Sequence, residues 1–199
     1  MITLKKEDEA ADLTGVTKMG VGVSWDPTAG SDGKVLGWLN RQRGTDLDLI
    51  AILMRGDDPV RIAGLDSLDP LGNGSVVHSG DNQTGKGEGD DETVNVTFGS
   101  VSGPVTSIIF TASAFKKGSS FGSARNVSFK VYDSTGGSTV QVADIWPSLL
   151  SNGQNANAVA HAYRDGEAWK LKVLDVMGKV KQGDEQALMR WAAGFVNQK

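Results

Sequence analysis

Short segments of this chain either alternate apolar and polar positions with a period of two or are rich in β-branched and aromatic residues. In Met19–Trp25, "MGVGVSW", valine alternates with small residues, as in a strand. Asp46–Met54, "DLDLIAILM", begins by alternating and ends continuously apolar, which predicts a strand entering the core. The segments "TVNVTF", "VTSIIFTASAF", "NVSFKVYD" and "VQVADI" are rich in β-branched and aromatic residues, and "SGP", "SFGSAR" and "STGGST" separate them. "AVAHAYRDGEAWKLKVL" predicts a hairpin with Asp165-Gly166 at its turn. "LDSLDPLGNGSVV" reads as a loop leading to a short strand that ends at His78, and "RGDDPV" reads as turn chemistry. Residues 1–18 are charged and aperiodic, a loose lead-in, and "DPTAGSDGKVLGWLNRQRGT" reads as a loop.

The pattern changes once. Leu188, Trp191, Ala192 and Phe195 fall at i, i+3, i+4 and i+7, one face of a helix predicted over 184–198. Asp184 is its expected N-cap, and Ala187 three positions on leaves no capping box. Many short strands with frequent turns favour a sandwich or barrel over a parallel α/β sheet. The expected fold is mainly β, a two-sheet antiparallel sandwich with a C-terminal amphipathic helix. A single domain over 1–199 suffices, because all-β domains of about 200 residues are ordinary.

Composition narrows the chemistry. There is no cysteine, which removes disulfides, thiolate metal sites and cysteine nucleophiles, and fits a cytoplasmic protein. The two histidines, His78 and His161, are too few for a multi-histidine zinc site, and both are expected to be structural. No apolar run is long enough to span a membrane as a helix, so no transmembrane segment is expected. The five tryptophans, Trp25, Trp38, Trp146, Trp169 and Trp191, are expected in the core, with Trp38 the most exposed candidate. "NRQRG", Asn40–Gly44, reads as a solvated loop before an anion patch.

Charge then singles out one segment. His78–Glu92, "HSGDNQTGKGEGDDE", holds five acids, Asp81, Glu88, Asp90, Asp91 and Glu92, against Lys86 alone. The chain has 24 acids and 20 bases, so 19 of each remain elsewhere and the whole net charge of -4 sits here. That balance argues against nucleic-acid binding. A phosphate cradle is disfavoured by the repulsion and by Gly87 following Lys86. Two readings of the spacing stay open: a solvated acidic turn, and an oxygen-rich cation site. Calcium takes six to eight hard oxygens, for which Asn82 and Thr84 add neutral donors. The order is that of neither an EF-hand nor a full nonapeptide repeat. Asp46 and Asp48 share one side of a strand, about 7 Å apart, and could join such a site.

Four stretches, "VSWDP", "TDLDLIAILM", "GSVVHSGDNQTGKGEGDDETV" and "AYRDGEAWKLKVL", occur in an order that resembles the TerD family of bacterial tellurite-resistance and stress-response proteins. The resemblance spans about Met19–Leu174, and the loop "GDNQTGKGEGDDE" is its most specific part. It implies a β-sandwich that binds one or two Ca²⁺ ions, has no established catalytic reaction and works by interaction, as a scaffold or sensor among other stress-response proteins. The ligand set it implies is Asp46, Asp48, Asp81, Asn82, Thr84, Glu88, Asp90, Asp91 and Glu92. The family's third strand aspartate is replaced by Ile50. The competing expectation is a calcium-dependent domain that binds or hydrolyses a small ligand.

Overall fold

Eleven strands, one α-helix and two short 3-10 turns are placed in the computed structural model, which describes residues 6, 8–26, 46–82, 89–115, 117, 119–147 and 153–198. The strands are β1 (Ala11–Asp12), β2 (Lys18–Asp26), β3 (Asp48–Arg55), β4 (Asp58–Ala63), β5 (Val76–His78) and β6 (Glu92–Thr97). They continue as β7 (Ser107–Ser113), β8 (Arg125–Asp133), β9 (Val140–Ile145), β10 (Ala156–Asp165) and β11 (Ala168–Gly178), before the helix α1 (Glu185–Ala193). A six-stranded sheet runs β1-β11-β10-β7-β3-β4, and a five-stranded sheet runs β5-β6-β2-β8-β9. The described pairings are antiparallel throughout. This is the expected mainly β, two-sheet arrangement with a C-terminal helix. Among the described residues no helix is long and apolar enough to cross a membrane.

Alternation explains the packing. Val21 and Val23 of β2, Val94 and Val96 of β6, and Phe129 and Val131 of β8 point between the sheets. Facing them are Leu49, Ala51 and Leu53 of β3, with Phe110 of β7. The other face of β3 is also dry: Ile50, Ile52 and Met54 form a second cluster with Leu188, Met189 and Ala192 of α1. Burial on both faces is why the sequence of β3 loses its alternation. Each fully buried aliphatic side chain there contributes about 1.5–3 kcal/mol.

The helix starts where its cap residue predicts. Asp184 Oδ1 accepts the Ala187 amide at 2.9 Å. Trp191 lies against Gly178 so closely that a Cβ there would come within 2.5 Å of its ring. That contact seats the helix against the end of β11.

Three local details depart from expectation. Within the lead-in, Ala11 and Asp12 pair with Leu171 and Lys170, and Leu13 is buried. Asp58–Ala63, whose first residues carry turn chemistry, is a strand after a tight turn at Gly56 (φ +58) and Asp57. Its Pro59 is tolerated because β4 is an edge. In the β10–β11 hairpin, Asp165 still pairs with Ala168, so the loop itself is Gly166-Glu167.

Candidate metal centre

The start of β3 and the end of β5 lie at the same end of the sandwich. Asp46 and Asp48 approach from one side, and Asp81 arrives three residues after β5. One carboxylate oxygen from each can be chosen so that all three lie within 4.8 Å of one another. Their burial is graded: Asp48 is buried, Asp46 half-buried and Asp81 exposed. Burial pushes the Asp48 carboxyl up to about 7, and the nearby charges of Glu92, Asp46 and Asp81 push in the same direction. The Phe115 amide, which donates to it, opposes them only weakly. Three hard anionic donors at this spacing suit an oxygen-seeking cation, which would offset both the burial and the repulsion that raise Asp48.

The rest of the acidic run is pinned by protein groups, and successive residues point different ways. Glu92 faces inward at the mouth of the core, fully buried. Its Oε2 accepts the Leu49 amide of β3 at 2.8 Å, and its Oε1 accepts the Asn82 amide at 3.1 Å. Asp91 Oδ2 accepts the Trp25 amide at 3.0 Å, and its Oδ1 accepts Asn82 Nδ2 at 2.9 Å. Burial raises the Asp91 carboxyl, with Asp90, Glu92 and Asp26 adding to it against the Trp25 bond. Asp90 turns onto the outer face of the five-stranded sheet. Lys130 Nζ donates to its Oδ1 at 3.1 Å and the Tyr132 hydroxyl to its Oδ2 at 2.5 Å. Burial, then this bond, raises the Tyr132 hydroxyl and keeps it a donor.

Gly22 makes the last arrangement possible. A Cβ on Gly22 would lie 2.1 Å from Asp90 Oδ2 and 2.9 Å from Asp90 Cβ. Gly80 (φ +100) and Gly89 (φ +99) supply left-handed turns on either side of the loop.

His78 is part of this frame. The Gly80 amide donates to its Nδ1 at 2.9 Å, so Nδ1 is an acceptor and the proton sits on Nε2. Nε2 then donates to the Leu49 carbonyl at 2.7 Å, with Glu92 Oε2 at 3.3 Å. His78 and Glu92 together clamp both backbone groups of Leu49, the residue after Asp48. The structural role expected of His78 holds, with a more specific purpose.

Of the nine expected ligands, Asp46, Asp48 and Asp81 converge; Asn82, Asp91 and Glu92 brace the approach; Asp90 anchors to β8. Thr84 and Glu88 lie outside the described residues, as do Trp38, Lys86 and Asn40–Gly44. Ile50 belongs to the apolar cluster beneath α1. His161 is buried, with its Nδ1 3.2 Å from the Gln198 carbonyl. Trp25 and Trp169 are core as expected, but Trp146 is 62% exposed. It follows β9 on the outer side of the sheet, where no described helix covers it. The sequence carries no local signal for Lys130, Tyr132 and Gly22. They lie far along the chain from Asp90, and only strand pairing brings them to it.

The fold and this cluster define an antiparallel β-sandwich with a candidate cation site at one end. The chain belongs to the TerD family, whose domain matches residues 1–190. It is 34% identical over 139 residues to tellurium resistance protein TerZ of Serratia marcescens, covering 68% of this chain and 66% of that protein. It is 28% identical over 185 residues to stress response protein SCP2 of Bacillus subtilis (strain 168), covering 85% and 89%. Among solved structures it shares its fold with SAV2460, a protein of unknown function, at a TM-score of 0.69 and 19% identity over 90% of this chain and 98% of that one. It likewise matches SCO6318 from Streptomyces coelicolor A3(2), a homologue of telluride resistance protein TerD, at a TM-score of 0.60 and 19% identity over 87% and 95%.

Proposed function

We propose that this chain is a calcium-binding stress-response protein of the tellurite-resistance type. It has no catalytic reaction of its own and acts by interaction, as a scaffold or sensor in the cytoplasm. Asp46, Asp48 and Asp81 supply the ion's carboxylates, and the 82–92 loop, with Asn82, Thr84 and Glu88, completes the shell. Asp91 and Glu92 hold the approach in place, and Asp90 ties the loop to β8.

The observation that carries this reading is the convergence of three carboxylates around a buried Asp48 whose own neighbours disfavour its charge. Many oxygens on a glycine-rich loop suit Ca²⁺, whereas Mg²⁺ demands near-octahedral geometry and keeps its water. With Ile50 in place of a further carboxylate, the described residues bring together a single centre.

Calorimetric titration of chelator-treated protein with Ca²⁺ and Mg²⁺ tests it. Saturable Ca²⁺ binding is expected, with Mg²⁺ at least tenfold weaker, and Asp48→Asn should weaken Ca²⁺ most. Equal affinity for the two ions, or Ca²⁺ binding indifferent to Asp48→Asn, would overturn the assignment.

A further inference from the structure

The outer face of the five-stranded sheet carries a second polar site, separate from the three converging aspartates. A cleft of about 320 Å³ opens between the ends of β2, β8 and β9, at the small end of the range for ligand pockets. Its walls include Asp26, Asn126, Ser128, Lys130, Asp144 and Trp146. Trp146 presents an indole that is 62% exposed. Asp144 and Trp146 are two apart, either side of inward-facing Ile145, so they share the outer side.

Hydrogen-bond bookkeeping shows which chemistry is missing. Lys130 is the cross-strand neighbour of Asp144, yet its ammonium is drawn to Asp90 at 3.1 Å. Asn126 Nδ2 donates to Asp26 Oδ2 at 2.5 Å. The Ser24 and Ser128 hydroxyls bond one another at 2.9 Å. Asp144 Oδ1 is buried and has no hydrogen-bond partner among the described residues. Trp25 Nε1, also in the wall, is likewise buried without a partner among the described residues. The choice of ligand therefore rests on charge: three carboxylates, Asp26, Asp91 and Asp144, line the cleft against one ammonium, which Asp90 already holds. An anion would meet Asp26, Asp91 and Asp144. A cation matches the charge of the three carboxylates, and an alkyl cation also uses the indole face.

We propose that this cleft binds a small organic cation, an alkylammonium or guanidinium ion. Asp144 and Asp26 supply the counter-charges, and Trp146 is the platform for the cation and its methylenes. None of Asp46, Asp48 and Asp81 lines the cleft, but Gly89 and Asp91 of the 82–92 loop do, so its shape rests in part on the loop that the calcium reading orders.

The test is titration with putrescine, butylammonium and the neutral isostere 1-butanol in saturating Ca²⁺. Tryptophan fluorescence and amide chemical shifts report binding. Putrescine and butylammonium should bind saturably, and 1-butanol at least tenfold more weakly. Trp146→Ala and Asp144→Asn should each weaken the amines roughly 3- to 30-fold. Trp146→Phe should recover part of the loss. Trp146→Ala should lose amine affinity while keeping its Ca²⁺ affinity, which separates this site from the calcium reading. The proposal is overturned if 1-butanol matches the amines, if no amine binds, or if Trp146→Ala has no effect in a folded variant. It is also overturned if raising Ca²⁺ displaces the amines, which would place the amine on the three aspartates.

Discussion

Glu92 of β6 accepts the Leu49 amide of β3 at 2.8 Å, across the gap between the two sheets. A fully buried carboxylate thus joins the acidic loop to the strand that carries Asp48. Glu92→Gln replaces an acceptor-only group with one that must also donate. One of the Leu49 and Asn82 amides then faces an amide NH₂ instead of an oxygen. A loss of roughly 2–4 kcal/mol is expected, since removing one partner leaves the others buried and unpaired. Urea unfolding of wild type and variant measures it. A change below about 0.5 kcal/mol would mean that the bond is replaceable by water.

Asp48 makes metal-free stability depend on pH in a defined direction. Its carboxyl is raised from 3.8 to about 7, by burial first and then by Glu92, Asp46 and Asp81. Between these values the folded state holds a proton that the unfolded state has lost. Stability of the metal-free protein should therefore fall as pH rises from about 4 to 7, and flatten above. Asp48→Asn should remove that slope and stabilise the metal-free protein at pH 8 by about 1–3 kcal/mol. Thermal melts in chelator across pH 5–8 check this. A flat wild-type profile would contradict it.

The same group sets the pH dependence of ion binding. A ligand carboxylate must be ionised, so protons compete with Ca²⁺ below pH 7. The dissociation constant should rise by up to tenfold for each pH unit below about 7. Titrations at pH 6, 7 and 8 would show it. An affinity independent of pH would remove Asp48 from the ligand set.

Occupying the site should quiet both of its elements together. Ligand that binds only the folded state adds about 2.7 kcal/mol at a hundredfold excess over its dissociation constant. Hydrogen exchange with and without Ca²⁺ should show protection gained at Asp81–Asn82 and at Leu47–Leu49. Chelation should loosen the 78–92 region first. Unchanged exchange there would return the loop to a solvated acidic turn.

Gly22→Ala should destabilise the protein by about 1–3 kcal/mol, because the new Cβ would overlap Asp90. Asp90 would have to leave Lys130 and Tyr132. Adding Asp90→Ala to Gly22→Ala should then cost less than the two changes summed, and a double-mutant cycle by denaturant unfolding measures that coupling. Strict additivity would show that Gly22 is needed for another reason.

Much of the fold was legible before any coordinates. Alternation located β2, β-branched and aromatic content located β6, β7, β8 and β9, and Asp165-Gly166 marked the β10–β11 hairpin. Strands β7 and β10 show little alternation because they are buried on both faces. The helix announced itself through Leu188, Trp191, Ala192 and Phe195. Strand β4 was hidden by Pro59, which the sequence alone could not place on an edge.

By itself the sequence determined that the negative charge is concentrated at 78–92 and that Asp46 and Asp48 lie two apart at a strand start. Those are local facts of spacing. The tertiary structure decided which acids meet. Asp81 joins Asp46 and Asp48, whereas Asp90 is drawn 40 residues along the chain to Lys130 and 42 to Tyr132. It also decided that Trp146 is a surface residue, because α1 packs on the other sheet. Neighbours across a sheet are fixed by strand order and register, and these depend on how the whole set of strands shares one core.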